Sequence, residues 1–196
     1  MTRAPLDLTC TCGQIEGHLR NFSPRMGTHA ECFCKDCRAA ELYLHQPDPA
    51  PGAVGVFQST PDHLILTKGS EHLAVFSFGE KNLLRWYASC CGTPLFNTPR
   101  DPRMSFVAIR TAAIADTAAL GPVTAQAFIP AGNDKTRHKG IIRLVGAAVA
   151  RIALRRITGR WRDNPLFDTD SATPVRPVTV LAQGTRSRLL NERSRP

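Results

Sequence analysis

The chain lacks an apolar leader: Met1 to Leu8 carries one arginine and no hydrophobic stretch of the length a secretion signal needs, so export is not expected. It also lacks a run of about 20 uninterrupted apolar residues, which excludes a membrane-spanning helix. There is no internal repeat and no low-complexity tract. An even cysteine count is missing as well. Seven clustered cysteines fit a secreted disulfide framework poorly and a reduced, cytoplasmic chain well. Acidic residues run short in one region only. Residues 1–134 hold 12 Asp/Glu against 11 Lys/Arg, net −1, whereas residues 135–196 hold 4 against 14, net +10; together these give the formal +9. The basic region carries no RNA- or DNA-binding signature and no aromatic interleaving beyond Trp161.

What is present fits a folded domain of ordinary composition. The 196 residues are 42% hydrophobic and 21% charged, with 15 prolines and 14 glycines marking many turns. Alternating apolar stretches predict short strands after Gly13 and at 54–58, 63–67, 73–78, 83–87, 93–97 and 104–110, each bounded by turn residues. Residues 39–45 read as strand or helix, and 46–52, with three prolines, as a loop. The reading is a mostly β domain over 1–130, then a basic extension over 131–196. Gly132 to Lys135 form a linker. A helix follows at about 139–161, with Ile141, Val145, Ala148, Val149 and Ile152 on its core face and Arg143, Arg151 and Arg155 pointing elsewhere. The remainder is expected to be irregular, fraying from Ser187. The excess positive charge suits an anionic membrane surface or nucleic acid, or serves as a solvated tail.

The cysteines carry the chemistry. Cys32, Cys34 and Cys37 form a C-x-C-x-x-C run, and Lys35 and Arg38 beside them favour thiolates. Three thiolates suit a tetrahedral zinc with its fourth position open or filled from elsewhere, for instance by His29. Cys10/Cys12 and Cys90/Cys91 lie far apart in sequence, and such pairs commonly join into a closed structural site. One structural and one open site is the natural partition. A single metal drawing on several groups is the competing one.

These blocks resemble a known family. Cys10-Thr11-Cys12-Gly13, then Cys32 to Arg38, then Cys91-Gly92-Thr93-Pro94-Leu95-Phe96 are similar to the glutathione-dependent formaldehyde-activating enzymes, the family that includes centromere protein V. The resemblance covers about residues 7–115. It implies the Mss4-like β-tent fold of short antiparallel strands with zinc-binding turns, to which the C-terminal helix is an addition. It also implies a structural zinc on Cys10, Cys12 and Cys91, and a second zinc on Cys32, Cys34 and Cys37 where the glutathione thiol meets the metal. The activity implied is a carbon–sulfur lyase adding glutathione to formaldehyde, with Lys35 or Arg38 meeting a carboxylate of the tripeptide. Two positions depart from the family pattern. Ala88 stands where a fourth structural cysteine is expected, leaving Cys90, a histidine or water to complete that shell. Phe33 replaces the usual histidine inside the middle block. The alternative reading is a zinc-stabilised binding module whose basic C-terminal region makes the contact.

Overall fold

The structure, a computed structural model, describes residues 3–133 and 135–192. The expected short apolar stretches become strands. These are β1 (Leu6–Thr9), β2 (Glu16–Leu19) and β3 (Thr28–Cys32), which leads into helix α1 (Lys35–Tyr43). β4 (Val54–Ser59), β5 (Leu64–Lys68), β6 (Leu73–Ser77), β7 (Leu84–Ala88), β8 (Pro94–Thr98), β9 (Val107–Arg110), β10 (Ala125–Pro130) and β11 (Thr136–Lys139) follow. Then come α2 (Ile141–Ile157), β12 (Phe167–Asp168), β13 (Thr173–Pro174), β14 (Val178–Val180) and α3 (Thr185–Glu192). The chain is thus mostly β with a few helices, two of them near the C-terminus.

One sheet has the order β1-β2-β5, and a larger one runs β11-β10-β3-β4-β9-β8-β7-β6-β14; β12 and β13 pair by themselves. Pairing is antiparallel except at β10–β3 and β14–β6, which are parallel. Side chains alternate across the large sheet, as a strand's period of two requires. Phe57, Val107, Ile109, Trp86 and Phe96 join Leu8, Leu19 and Leu64 of the small sheet in the main core. Their neighbours Val56 and Ala108 face the other side, where Cys37 and Leu144 cover them. Ala40 of α1 and Leu44, which caps its C-terminus, pack on Phe76 on that same side. The close pairing of β2 with β5 explains a glycine inside a strand: a Cβ at Gly17 would collide with the Ile65 carbonyl oxygen.

The C-terminal third departs from expectation. The helix forms, ending at Ile157 and followed by a 3-10 turn at Arg160–Arg162. It docks, however, through a face turned partway from the expected one: Ile141, Ala148 and Ile152 are half-buried as assigned. Leu144 is buried, while Val145 and Val149, assigned to the core face, are 51% and 58% exposed. Arg151 and Arg155, expected to point away, point inward. Arg151 Nη2 donates to Thr28 Oγ1 at 3.2 Å, and Arg155 Nε donates to Asp62 Oδ1 at 2.9 Å. The buried carboxylate of Asp62 makes the arginine side the docking side. Residues 178–192, read as irregular or frayed, instead supply β14 and α3. β14 completes the large sheet against β6, and α3 is tied to α1 by Arg186 Nη1 on Asp36 Oδ1 at 2.6 Å. The fraying expected for 193–196 lies outside the described residues. The boundary placed at residue 130 falls in the β10–β11 hairpin, so residues on both sides of it contribute to one sheet.

Candidate metal centres and the adjoining cavity

Two turns bring the first and last cysteine groups together. β1 runs into a turn in which the Gly13 N–H donates to the Cys10 carbonyl at 2.9 Å, with Gly13 at φ +71°. β7 runs into a turn closed by the Gly92 N–H on the Ala88 carbonyl at 2.8 Å, with Gly92 at φ +72°. Both glycines take up a left-handed conformation that side chains resist. The Thr11 N–H donates to Thr93 Oγ1 at 3.0 Å and so clamps one turn on the other.

The sulfurs of Cys10, Cys12, Cys90 and Cys91 all lie within 4.8 Å of one another. Individual separations are 3.6 Å for Cys10–Cys12, 4.0 Å for Cys10–Cys90, 3.3 Å for Cys12–Cys90 and 3.9 Å for Cys90–Cys91. Four thiolates about 2.3 Å from a tetrahedral zinc stand about 3.8 Å apart, so the donor set and its spacing fit that ion. They do not fit disulfides, which need about 2.05 Å, and all seven cysteines are free. Position 88 is explained too. Ala88 is fully buried in the main core, and Cys90 rather than position 88 supplies the fourth sulfur of the group. Burial raises the Cys91 thiol, but hydrogen bonds with Thr11 and Thr93 outweigh it and hold the group at about 5, in the thiolate form a metal requires.

The middle trio converges for a different local reason. Cys32 is the last residue of β3, Cys34 is the N-cap of α1, and Cys37 lies in its first turn. The Cys37 N–H donates to Cys34 Sγ at 3.3 Å, a cap made by sulfur. The helix dipole favours negative charge at this end. Cys32 and Cys37 sulfurs are 3.5 Å apart, and all three fall within 4.8 Å of one another, again a spacing that suits zinc. Hydrogen bonds from Cys32 and Cys34 hold Cys37 well below the usual thiol range, and the cationic Arg85 and Arg110 add to this. Cys34 is lowered by Cys32, but Cys37 and burial outweigh that and push it up to about 11. Cys32 is driven far up by its bonds to Cys34 and Cys37. One negative charge is therefore favoured in the trio, and loading it with metal displaces protons, so affinity rises with pH.

Arg85 and Arg110 escaped the sequence reading. Both are buried within strands, on the side facing Cys37 rather than the main core. Arg110 is paired with the buried Glu41, where burial raises the carboxyl more than the arginine lowers it. Arg85 lies 3.9 Å from Asp36. The available signal was an arginine set among the apolar residues of β7 and of β9.

The trio also borders open space. A cavity of about 470 Å³ is lined by Cys32, Cys34, Phe33, Lys35, Arg38 and Lys135, with a proline-rich wall from residues 49–51. A second, of about 420 Å³, is bordered by all three cysteines and Arg85. Lys35 has no carboxylate partner among the described residues. Arg38 is differently placed: its guanidinium forks onto Asp48, at 2.8 Å from Nε and 2.7 Å from Nη2. His29 does not join the trio. It sits three residues before Cys32 on β3, hence on the opposite face, and its Nδ1 lies 2.8 Å from the Gly121 carbonyl. No fourth cysteine, histidine or carboxylate belongs to the trio among the described residues.

The family described as "Family of unknown function (DUF6151)" matches residues 2–175. The chain belongs to that family. The match spans all seven cysteines and α2. The crystal structure of a Rhodobacter sphaeroides protein aligns with a TM-score of 0.43 and 20% identity, over 60% of this chain and 96% of that one. No curated protein matches the sequence. Among the described residues no helix is long and apolar enough to cross a membrane.

Proposed function

We propose that this DUF6151 member is a two-zinc protein of the glutathione-dependent formaldehyde-activating kind, with the Mss4-like β-tent fold. In this reading Cys10, Cys12, Cys90 and Cys91 hold a structural ion and Cys32, Cys34 and Cys37 a reactive one. One observation carries it: three sulfurs meet at the N-terminus of α1 without a fourth protein ligand among the described residues, on the wall of a cavity large enough for a small peptide. When bound there, zinc has a fourth position at which a thiol binds as thiolate. The chain's own residues do the rest. Lys35 and Lys135 place positive charge at the cavity for the carboxylates of glutathione, while Arg38 shapes the wall through Asp48. Phe33 and the proline-rich wall keep water from the sulfur. In the reaction the glutathione sulfur bonds to the carbon of formaldehyde, the carbonyl π bond opens, and the thiol proton ends on the new hydroxyl; no electrons are exchanged with an outside partner. Free, unpaired cysteines suit a cytoplasmic setting for this chemistry.

Calorimetric titration of the zinc-loaded chain with glutathione should show one binding event. Cys34→Ser should weaken it by at least about a hundredfold, because the thiol then has no open metal to meet. Exchange of formaldehyde into S-hydroxymethylglutathione, followed by NMR, should be accelerated by the wild type and not by Cys34→Ser. Full metal at the trio with no thiol binding would discard the reading.

A further inference from the structure

α2 leaves part of its apolar surface in solvent. Its docked side is Ile141, Leu144, Ala148, Arg151, Ile152 and Arg155. At 3.6 residues per turn, the opposite side is Ile142, Val145, Gly146, Val149, Ala153 and Ile157. Ile142 is 87% and Ile157 85% exposed, well above the 39–58% of the other exposed large hydrophobics among the described residues. A contiguous exposed apolar patch marks an interaction site. α2 contains four arginines and no acidic residue.

A second, independent feature lies on the flank of the same helix. A cavity of about 410 Å³ is lined by Arg25, Arg143, Arg151 and His29, with Thr28 and Thr124 among the remaining wall residues and no carboxylate. Other inward-pointing arginines have acidic partners: Arg110 has Glu41, Arg155 has Asp62 and Arg38 has Asp48. Arg151 has one neutral hydroxyl, on Thr28. Desolvation, followed by repulsion from Arg155, lowers its affinity for its own proton. Arg25 and Arg143 have no carboxylate partner among the described residues. Arg151 is half-buried and Arg25 and Arg143 are exposed at the rim; a guanidinium cluster without counter-charge is a site for an anion, and arginine forks match phosphate oxygens.

We propose that α2 docks on an anionic phospholipid surface, its apolar side entering the interface and the arginine cavity receiving a lipid headgroup phosphate. The two features occupy adjoining sides of one helix, since Arg143 follows Ile142 and Arg151 follows Ala150. The occupant is chosen by charge and by apolarity together. A second copy paired antiparallel through this face would set Arg143 of one chain near Arg156 of the other, with no acid to offset them. Nucleic acid would satisfy the arginines and leave the apolar side in water. An anionic bilayer satisfies both, in the manner of helices that lie in the interface plane. The net charge of +10 over residues 135–196 adds attraction at longer range.

The test is flotation of the full chain, metal content verified, with vesicles of phosphatidylcholine alone and of phosphatidylcholine mixed with phosphatidylglycerol. The protein should float with the mixed vesicles and only weakly with the neutral ones, and salt should reduce the binding. Ile142→Glu/Val149→Glu, at solvent-exposed positions, should lower partitioning by at least about tenfold at unchanged melting temperature. Arg25→Ala/Arg143→Ala should remove the preference for the anionic vesicles, at about fivefold per arginine. Several results would overturn the proposal. These are no flotation with either vesicle, full flotation by the Ile142→Glu/Val149→Glu variant, or a dimer in sedimentation that this variant dissolves. Inorganic phosphate or a DNA duplex binding through Arg25 and Arg143 without any vesicle binding would also overturn it.

Discussion

Cys10→Ser is expected to unfold the protein rather than trim its stability. Cys10 is 1% exposed at the end of β1, and its sulfur faces that of Cys90, 80 residues away, at 4.0 Å. It also accepts the Ile15 N–H at 3.2 Å, so it shapes its own turn. With a metal bound, this group staples the small sheet to the β7–β8 turn. Structural zinc sites contribute apparent binding energies of about 10 kcal/mol or more at neutral pH. A domain of this size is stable by only about 5–15 kcal/mol, so losing even half of that contribution leaves little folded. Circular dichroism should show loss of β signal, or a melting temperature lowered by tens of degrees, and a strong chelator should do the same to the wild type. A Cys10→Ser protein melting within a few degrees of the wild type would show that the four sulfurs carry no structural ion.

Asp62→Ala should produce the second largest loss. The Asp62 side chain is fully buried. Its Oδ1 accepts from Arg155 Nε at 2.9 Å, and its Oδ2 lies 3.1 Å from Arg160 Nη2, an ionic contact without hydrogen-bond alignment. Arg155 also lies 2.8 Å from His63 Nε2. Removing the carboxylate leaves two guanidinium groups facing a buried hole and each other, which costs about 3–5 kcal/mol. The damage should be local as well as global. Amide exchange should quicken over 141–162, because the docked side of α2 has lost its anchor, while the two cysteine groups keep their metal. Adding Arg155→Leu to Asp62→Ala should recover part of the loss, since the second change removes the stranded charge. A shift below about 1 kcal/mol would mean that α2 is held by Leu144 and its apolar neighbours rather than by this pair.

Much of the fold was legible because its signals are local. Val54 to Ser59 and Leu84 to Ala88 declare themselves by alternation between turn residues. The C-x-C-G and C-C-G blocks declare turns through glycines that the structure places at positive φ. What could not be read depends on a partner distant in sequence. β11 has four exposed residues, so no alternation betrays it, and it exists because β10 lies beside it. β14 forms because the edge of β6 accepts it, and α3 because Asp36 holds Arg186. The helix at 141 was legible as a helix but only partly as to orientation. Its period reveals an apolar stripe, and the usual rule turns such a stripe inward. The rule holds for Ile141, Ala148 and Ile152 but not for Val145 and Val149, because Asp62 is buried beneath the flank that carries Arg155 and turns that flank inward. The metal groups show the same division. Spacing exposed the cysteine groups, whereas Arg85 and Arg110 became visible only when the strands carrying them were laid beneath Cys37.

Two separate thiolate centres are proposed for the chain, one closed by four cysteines and one with three and an open fourth position. Native mass spectrometry of the intact chain measures this directly. Two zinc ions are expected per wild-type chain and one in Cys34→Ser, with the remaining ion resisting a weak chelator. A single ion in the wild type, or two retained after Cys34→Ser, would contradict the proposal.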